Sequence, residues 1–136
     1  MPPSGWKEYP AGHASGLSVV FLAPAVDPAA KFVDNINVVI TPAAKDLRST
    51  VAESKQAYPR IFTHYRLVVD EPAIANGRDA YLVGGTFERE GLELGNLQLF
   101  VIAGAKQYTI TFTSPAASFP RLRRLAQASL LSFRLA

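Results

Sequence analysis

One stretch constrains the fold more than any other: Leu97 to Phe133, LQLFVIAGAKQYTITFTSPAASFPRLRRLAQASLLSF. Two runs rich in β-formers meet at Gly104-Ala105, and glycine at the first central position suits a two-residue type II′ hairpin. That register places Leu97, Leu99 and Val101 on one face with Tyr108, Ile110 and Phe112. The opposite face then carries Gln98, Phe100, Ile102, Thr109, Thr111 and Thr113, half polar and half apolar. A three-residue turn would scramble the two sets, so the shorter turn is expected. After the hairpin, Phe119, Leu122, Ala126, Leu130 and Phe133 recur at spacings of three and four, one apolar helical stripe. Its other side holds Arg123, Arg124 and Gln127.

The segments before this unit read as follows. Met1 to Gly16 is rich in Pro and Gly and reads as a loop, with a short strand at Trp6 to Tyr9. Trp6, the only tryptophan, is expected to anchor that segment to the core. Strands follow at Leu17 to Leu22 and Asn35 to Thr41, then a helix from Asp46, a plausible N-cap, to Tyr58. Leu47, Val51 and Tyr58 mark its buried side, and Pro59 is expected to end or kink it. His64 to Asp70 is a strand, with Glu71-Pro72 opening an irregular stretch. Asn76-Gly77 is a turn signal leading into a strand from Arg78 to Arg89, whose Gly84-Gly85 implies a bulge or a close backbone approach. Glu90-Gly91 turns the chain into Glu93 to Ala103, and Gln107 to Thr113 completes a meander that Ser114-Pro115 breaks. A last helix spans Ser118 to Ser132, followed by a short extended tail from Phe133 to Leu135. The order is β-β-α-β-β-β-β-α. Without strict strand-helix alternation, the class is α+β: an antiparallel sheet with two helices packed on it.

A chain of 136 residues with no repeat or linker is one domain, able to build a core without staples. Cysteine is absent, which excludes thiolate metal sites, thiol nucleophiles and disulfides. Fourteen basic against eleven acidic residues give a net charge of +3, too mild for a dedicated nucleic-acid binder. The one local concentration is Arg121, Arg123 and Arg124, read as a solvated helix face or as an anion contact. Their place near a helix start opposes the macrodipole. No apolar run approaches the roughly 18 residues of a membrane span. The first residues lack a basic and then apolar leader. The expectation is a cytoplasmic protein, or an extracytoplasmic one whose export signal was removed.

The sequence carries few residues suited to catalysis. His13 and His64 are the only histidines, and no metal-ligand spacing joins them to each other or to acids. Ser15 sits in no nucleophile elbow, and the acids around Asp70, Glu71, Glu88, Glu90 and Glu93 flank turns as solubilising charge would. Phosphate-binding glycine motifs are missing, and no cofactor is expected.

The strings DNINVVIT, DLRSTV, GRDAYLV, LQLFV-IAGAKQYTITFTSP and the closing SLLSF-R resemble the PsbP-like superfamily. More closely, they resemble its bacterial branch of DcrB-type envelope lipoprotein domains. The resemblance runs from about Leu17 to Arg134. It rests on Asn35 and Asn37, on Gly77, Ala80 and Leu82, on Gln98, and on Tyr108, Ile110, Phe112 and Thr113. It implies an antiparallel sheet between helices, an α/β/α sandwich. It also implies mostly non-enzymatic proteins: extrinsic subunits of membrane complexes, envelope lipoproteins or small chaperones for secreted effectors. In the lipoprotein branch a lipid-modified Cys normally precedes the domain, so membrane association is expected only through a segment outside this chain.

The functional expectation is therefore a non-catalytic domain of the cell envelope that binds a protein, peptide or lipid-like partner. Alternatives are an intracellular chaperone-like module cradling an apolar client helix and, less favoured, a hydrolase. The binding side is expected on the mixed face, at Phe100, Ile102, Thr109 and Thr111, because a core rarely mixes hydroxyls with large apolar groups. The competing expectation is that the first helix covers this patch through Leu47, Val51 and Tyr58.

Overall fold

The computed structural model describes residues 5–8, 19–22 and 34–132. In chain order they form β1 (Lys7–Glu8), β2 (Val19–Leu22), β3 (Asn35–Pro42), α1 (Leu47–Ile61), β4 (Thr63–Ala75), β5 (Arg78–Arg89), β6 (Leu92–Ala103), β7 (Lys106–Pro115) and α2 (Phe119–Leu131). The strands make one seven-stranded antiparallel sheet, ordered β1-β2-β3-β7-β6-β5-β4. α1 packs on β4, β5 and β6, and α2 packs on β6, β7 and β4. Their contacts fall on alternate strand residues, Val83 and Phe100 with α1, Leu82, Leu97 and Leu99 with α2, so the helices lie on opposite faces. This is the expected α+β sandwich, with β1 as the short strand beside Trp6.

The β6–β7 hairpin has the predicted register. Leu97 faces Phe112, Leu99 faces Ile110 and Val101 faces Tyr108. Gly104 has a φ of 60° and Ala105 is not left-handed, the sign pattern of a type II′ turn. At Asn76-Gly77 and Glu90-Gly91 both residues are left-handed, as type I′ hairpins require. Asp46 caps α1 as expected: its Oδ1 accepts from the Ser49 backbone N–H at 2.8 Å, which lowers the carboxyl pKa.

Three proline readings need correction. Pro59 does not end α1, which runs on to Ile61; in the last turn the missing N–H leaves only one carbonyl unbonded. Pro72 does not end β4, which continues to Ala75. β4 is the sheet edge, where a residue without N–H loses no ladder bond on its outer side. Ser114-Pro115 likewise belongs to β7, because pairing with β3 stops at Thr113 and Pro115 pairs only with Leu94. Phe133 and the tail beyond it lie outside the described residues, as do Tyr9, His13, Ser15 and Leu17.

The larger core lies under α2. Leu82, Leu97, Leu99 and Val101 are fully buried there with Phe112, and Phe119, Ala126 and Leu130 close it from the helix. Leu122 is partly buried against the same cluster. Trp6 does anchor the N-terminal strand, its ring 6.1 Å from that of Phe112. Phe119 seats on Gly95, where a Cβ would stand 2.4 Å from its ring. The smaller core, under α1, gathers Val51, Tyr58, Val83 and Phe100. Gly84-Gly85 proves to be a close approach, and the register shifts lie opposite it in β4. A Cβ at Gly85 would stand 2.6 Å from the Tyr65 ring, which lies across the glycine and joins the α1 core.

Candidate functional site

An α-helix is about 10 Å across and strands lie about 4.8 Å apart, so one helix covers about two strands. α1 therefore shields only part of its face, the part made by β4, β5 and β6. It divides that face into two unlike regions.

Towards the β4–β5 hairpin, α1 stands over a cleft of about 720 Å³. Leu47, Val51 and Ala52 form its helix wall, and Pro72, Ile74 and Tyr81 its floor. Ile74 is 61% exposed, an apolar side chain left in water on the cleft's side. The helix is tied down beside this opening by three polar groups. Lys55 of α1 contacts both oxygens of Asp70 of β4 at 3.1 and 3.0 Å, and the Tyr81 hydroxyl of β5 donates to the same carboxylate at 2.7 Å. The Tyr81 bond, then Lys55, hold the Asp70 carboxyl below its ordinary pKa, and the same carboxylate raises that of Tyr81. The Lys55 ammonium also lies 5.9 Å from the Tyr81 ring centre.

On the other side of α1 the face is polar and uncovered among the described residues. A shallow groove of about 420 Å³ runs over Asn37 and Thr41 of β3, Gln107 to Thr113 on alternate positions of β7, and Asn96 and Gln98 of β6. Phe62 and Phe87, with ring centres 4.5 Å apart, border it on the helix side. Gln98 Nε2 donates to Thr111 Oγ1 at 3.4 Å, and Gln107 Nε2 to Thr109 Oγ1 at 3.2 Å. At the seam with the helix, Tyr58 is hydrogen-bonded to Ser54 and Gln98, and burial pushes its phenol up to about 12. Burial also pushes Tyr65 to about 12. Three buried atoms at this seam, Tyr65 OH, Asn96 Oδ1 and Gln98 Oε1, have no hydrogen-bond partner. Leaving such a group unpaired costs about 1–3 kcal/mol.

The expected binding residues separate on this seam. Phe100 is 2% exposed and sits in the α1 core, so it is no surface contact: the helix covers β6 at that point. Ile102 is half-buried, and Thr109 and Thr111 remain on the open side, one strand beyond the helix. Arg121 and Arg124 are exposed and Arg123 half-buried on α2, across the sheet from the threonines, so the seven residues do not form one site. Arg121 acts on a carboxylate of the chain itself: it opposes the upward pKa shift that partial burial imposes on Asp34.

His64 Nδ1 lies 3.1 Å from Glu88 Oε2, and a small pocket joins the pair to Glu93 and Thr86. The imidazole is 75% exposed and, among the described residues, no hydroxyl bonds to it. The amides at Asn96 and Gln98 were a legible signal that the hairpin pattern obscured, since two amides on alternate positions of a central strand need partners. The Lys55–Asp70–Tyr81 tie had no signal, being assembled from three separate elements.

No family model matches the chain, and no curated protein does. Solved structures do. A Pseudomonas aeruginosa protein of unknown function, PA94, matches with a TM-score of 0.74 and 16% identity, over 100% of this chain and 89% of that one. LpqN of Mycobacterium tuberculosis, described as involved in cell envelope biogenesis, matches with a TM-score of 0.72 and 14% identity, over 93% and 76%. Cyanobacterial PsbP (CyanoP) from Synechocystis matches with a TM-score of 0.65 and 18% identity, over 99% and 84%. At such identities the likeness is one of fold. The chain has the PsbP-like fold.

Proposed function

We propose that this chain is a non-catalytic accessory domain of the bacterial cell envelope that holds the apolar part of a lipid-like partner in the cleft beneath α1. The observation that carries this reading is the cleft itself: about 720 Å³, lined mostly by apolar side chains alongside Arg48, Lys55 and Asp79, with an exposed Ile74. Small-ligand sites are concave, largely apolar and of about 300–1,000 Å³. The polar groups at its edge, Lys55, Asp70 and Tyr81, satisfy one another and hold the wall in place rather than waiting for substrate. The role of LpqN in envelope biogenesis supports the location. The reading of an apolar client helix cradled on the mixed face loses its main anchor, because Phe100 is already covered by α1.

The test is the fluorescence of an environment-sensitive naphthylamine probe. Its emission should rise on binding the wild-type chain and stay at the free-probe level with Ala52→Trp, which fills the cleft from its exposed wall. The melting temperature of that variant should stay close to wild type. Enhancement that Ala52→Trp leaves untouched would place the probe elsewhere and refute the cleft.

A further inference from the structure

We propose that the half of the α1-side face left uncovered among the described residues binds a neutral, polyhydroxylated ligand, a carbohydrate. This surface is separate from the cleft and does not depend on it. β3, β6 and β7 present mostly polar side chains there. Asn37, Asn96, Gln98, Thr109, Thr111 and Thr113 are amides and hydroxyls, and Arg89 at the border is the only charged side chain lining the groove among the described residues. Such groups donate and accept at once, as sugar hydroxyls do, and carry no charge that would select an ion.

Two further observations show an arrangement rather than a scatter of polar residues. Thr109 and Thr111 each accept a hydrogen bond from a glutamine amide, which leaves both hydroxyl protons free to donate away from it. Asn96, only 3% exposed, lines the same groove with its amide oxygen lacking any donor, and Gln98 repeats the pattern. These oxygens are themselves shielded from solvent, so a ligand rich in O–H groups would supply their missing donors once the amides turn towards the groove. The half-buried Phe62 at the border, backed by the buried Phe87, gives the apolar face of a sugar ring a wall to lie against. Other occupants fit less well. An added peptide strand bonds to a sheet edge, and this is the middle of a sheet face. A protein interface has an apolar, aromatic centre, whereas here one aliphatic side chain, Val39 beside Thr109, sits among hydroxyls and amides.

The experiment is a titration of the isotope-labelled full chain, followed by nuclear magnetic resonance. The probes are soluble oligosaccharides of glucose, mannose, galactose and N-acetylglucosamine. At least one should shift the side-chain amide signals of Asn96, Gln98 and Gln107. Thr109→Val with Thr111→Val should weaken that sugar at least tenfold while the melting temperature holds. Gln107→Leu, at a half-buried position on the groove, serves as a second variant and should weaken it several-fold. Ala52→Trp should leave sugar binding unchanged, which separates this surface from the cleft. The proposal fails if no sugar in the panel moves these amides. It also fails if the same signals shift on diluting the chain alone, which would mean that a second copy covers the face.

Discussion

The two faces of the sheet use the same strands in opposite ways. Under α2 every alternate residue of β6 and β7 from Leu97 to Val101 and Ile110 to Phe112 is apolar and buried, and the helix stripe closes over them. Under α1 the intervening residues change character from one strand to the next: Phe100 on β6 is covered, and Thr109 directly opposite it on β7 is open. The first face is built for stability. The second supports stability only where the helix lies, and elsewhere keeps side chains that hold hydrogen-bonding capacity. The difference teaches that a strand's face is not the unit of burial; the footprint of the covering helix is.

Phe112→Ala should break the closed face most severely. It removes a ring in contact range of Trp6 and Phe119, whose centres lie 6.1 and 6.4 Å away, and should cost about 3–5 kcal/mol in urea unfolding. A cost below about 1 kcal/mol would mean that the α2 core is not the main source of stability. Gly85→Ala probes the covered half of the other face. Its new methyl would meet the Tyr65 ring and the Arg66 carbonyl at 2.6 Å, so about 1–3 kcal/mol is expected from the forced shift. Unchanged stability would show that the Tyr65 ring does not lie across this glycine.

The smallest effect in this series is electrostatic. The folded-state pKa of Asp70 is lowered, so its contribution is present above the unfolded value of 3.8 and is lost as pH falls through the folded value. The group is largely solvent-screened, so Asp70→Asn should cost under about 1 kcal/mol at neutral pH. Wild type and variant should converge as the solution is acidified below pH 3.8. A gap that stays constant with pH would assign the effect to lost hydrogen-bond geometry instead.

Much of this comparison was legible in the sequence. Gly104-Ala105 with its flanking alternation set the β6–β7 register pair by pair, and the three-four spacing of Phe119, Leu122, Ala126 and Leu130 marked the α2 stripe. Both are local patterns read within one or two elements. The edge status of β4 was not local, so Pro72 read as a break where the strand continues. The mixed face was recognised as mixed, yet the division within it was hidden. Whether Phe100 or Thr109 lies beneath α1 depends on where the α1 crossover sets the helix, and no spacing in β6 or β7 encodes that. The cleft walls come from α1, β4 and β5 and carried no motif for the same reason.

The most direct test of the divided face is to measure Phe100→Ala and Thr109→Ala side by side in urea. The two residues pair across β6 and β7 and lie on opposite sides of the helix margin. Phe100→Ala should cost about 3–5 kcal/mol, as a buried ring does. Thr109→Ala should stay within about 0.5 kcal/mol, as an uncovered position does. Comparable losses at the two positions would mean that the whole face is core, and would contradict the account.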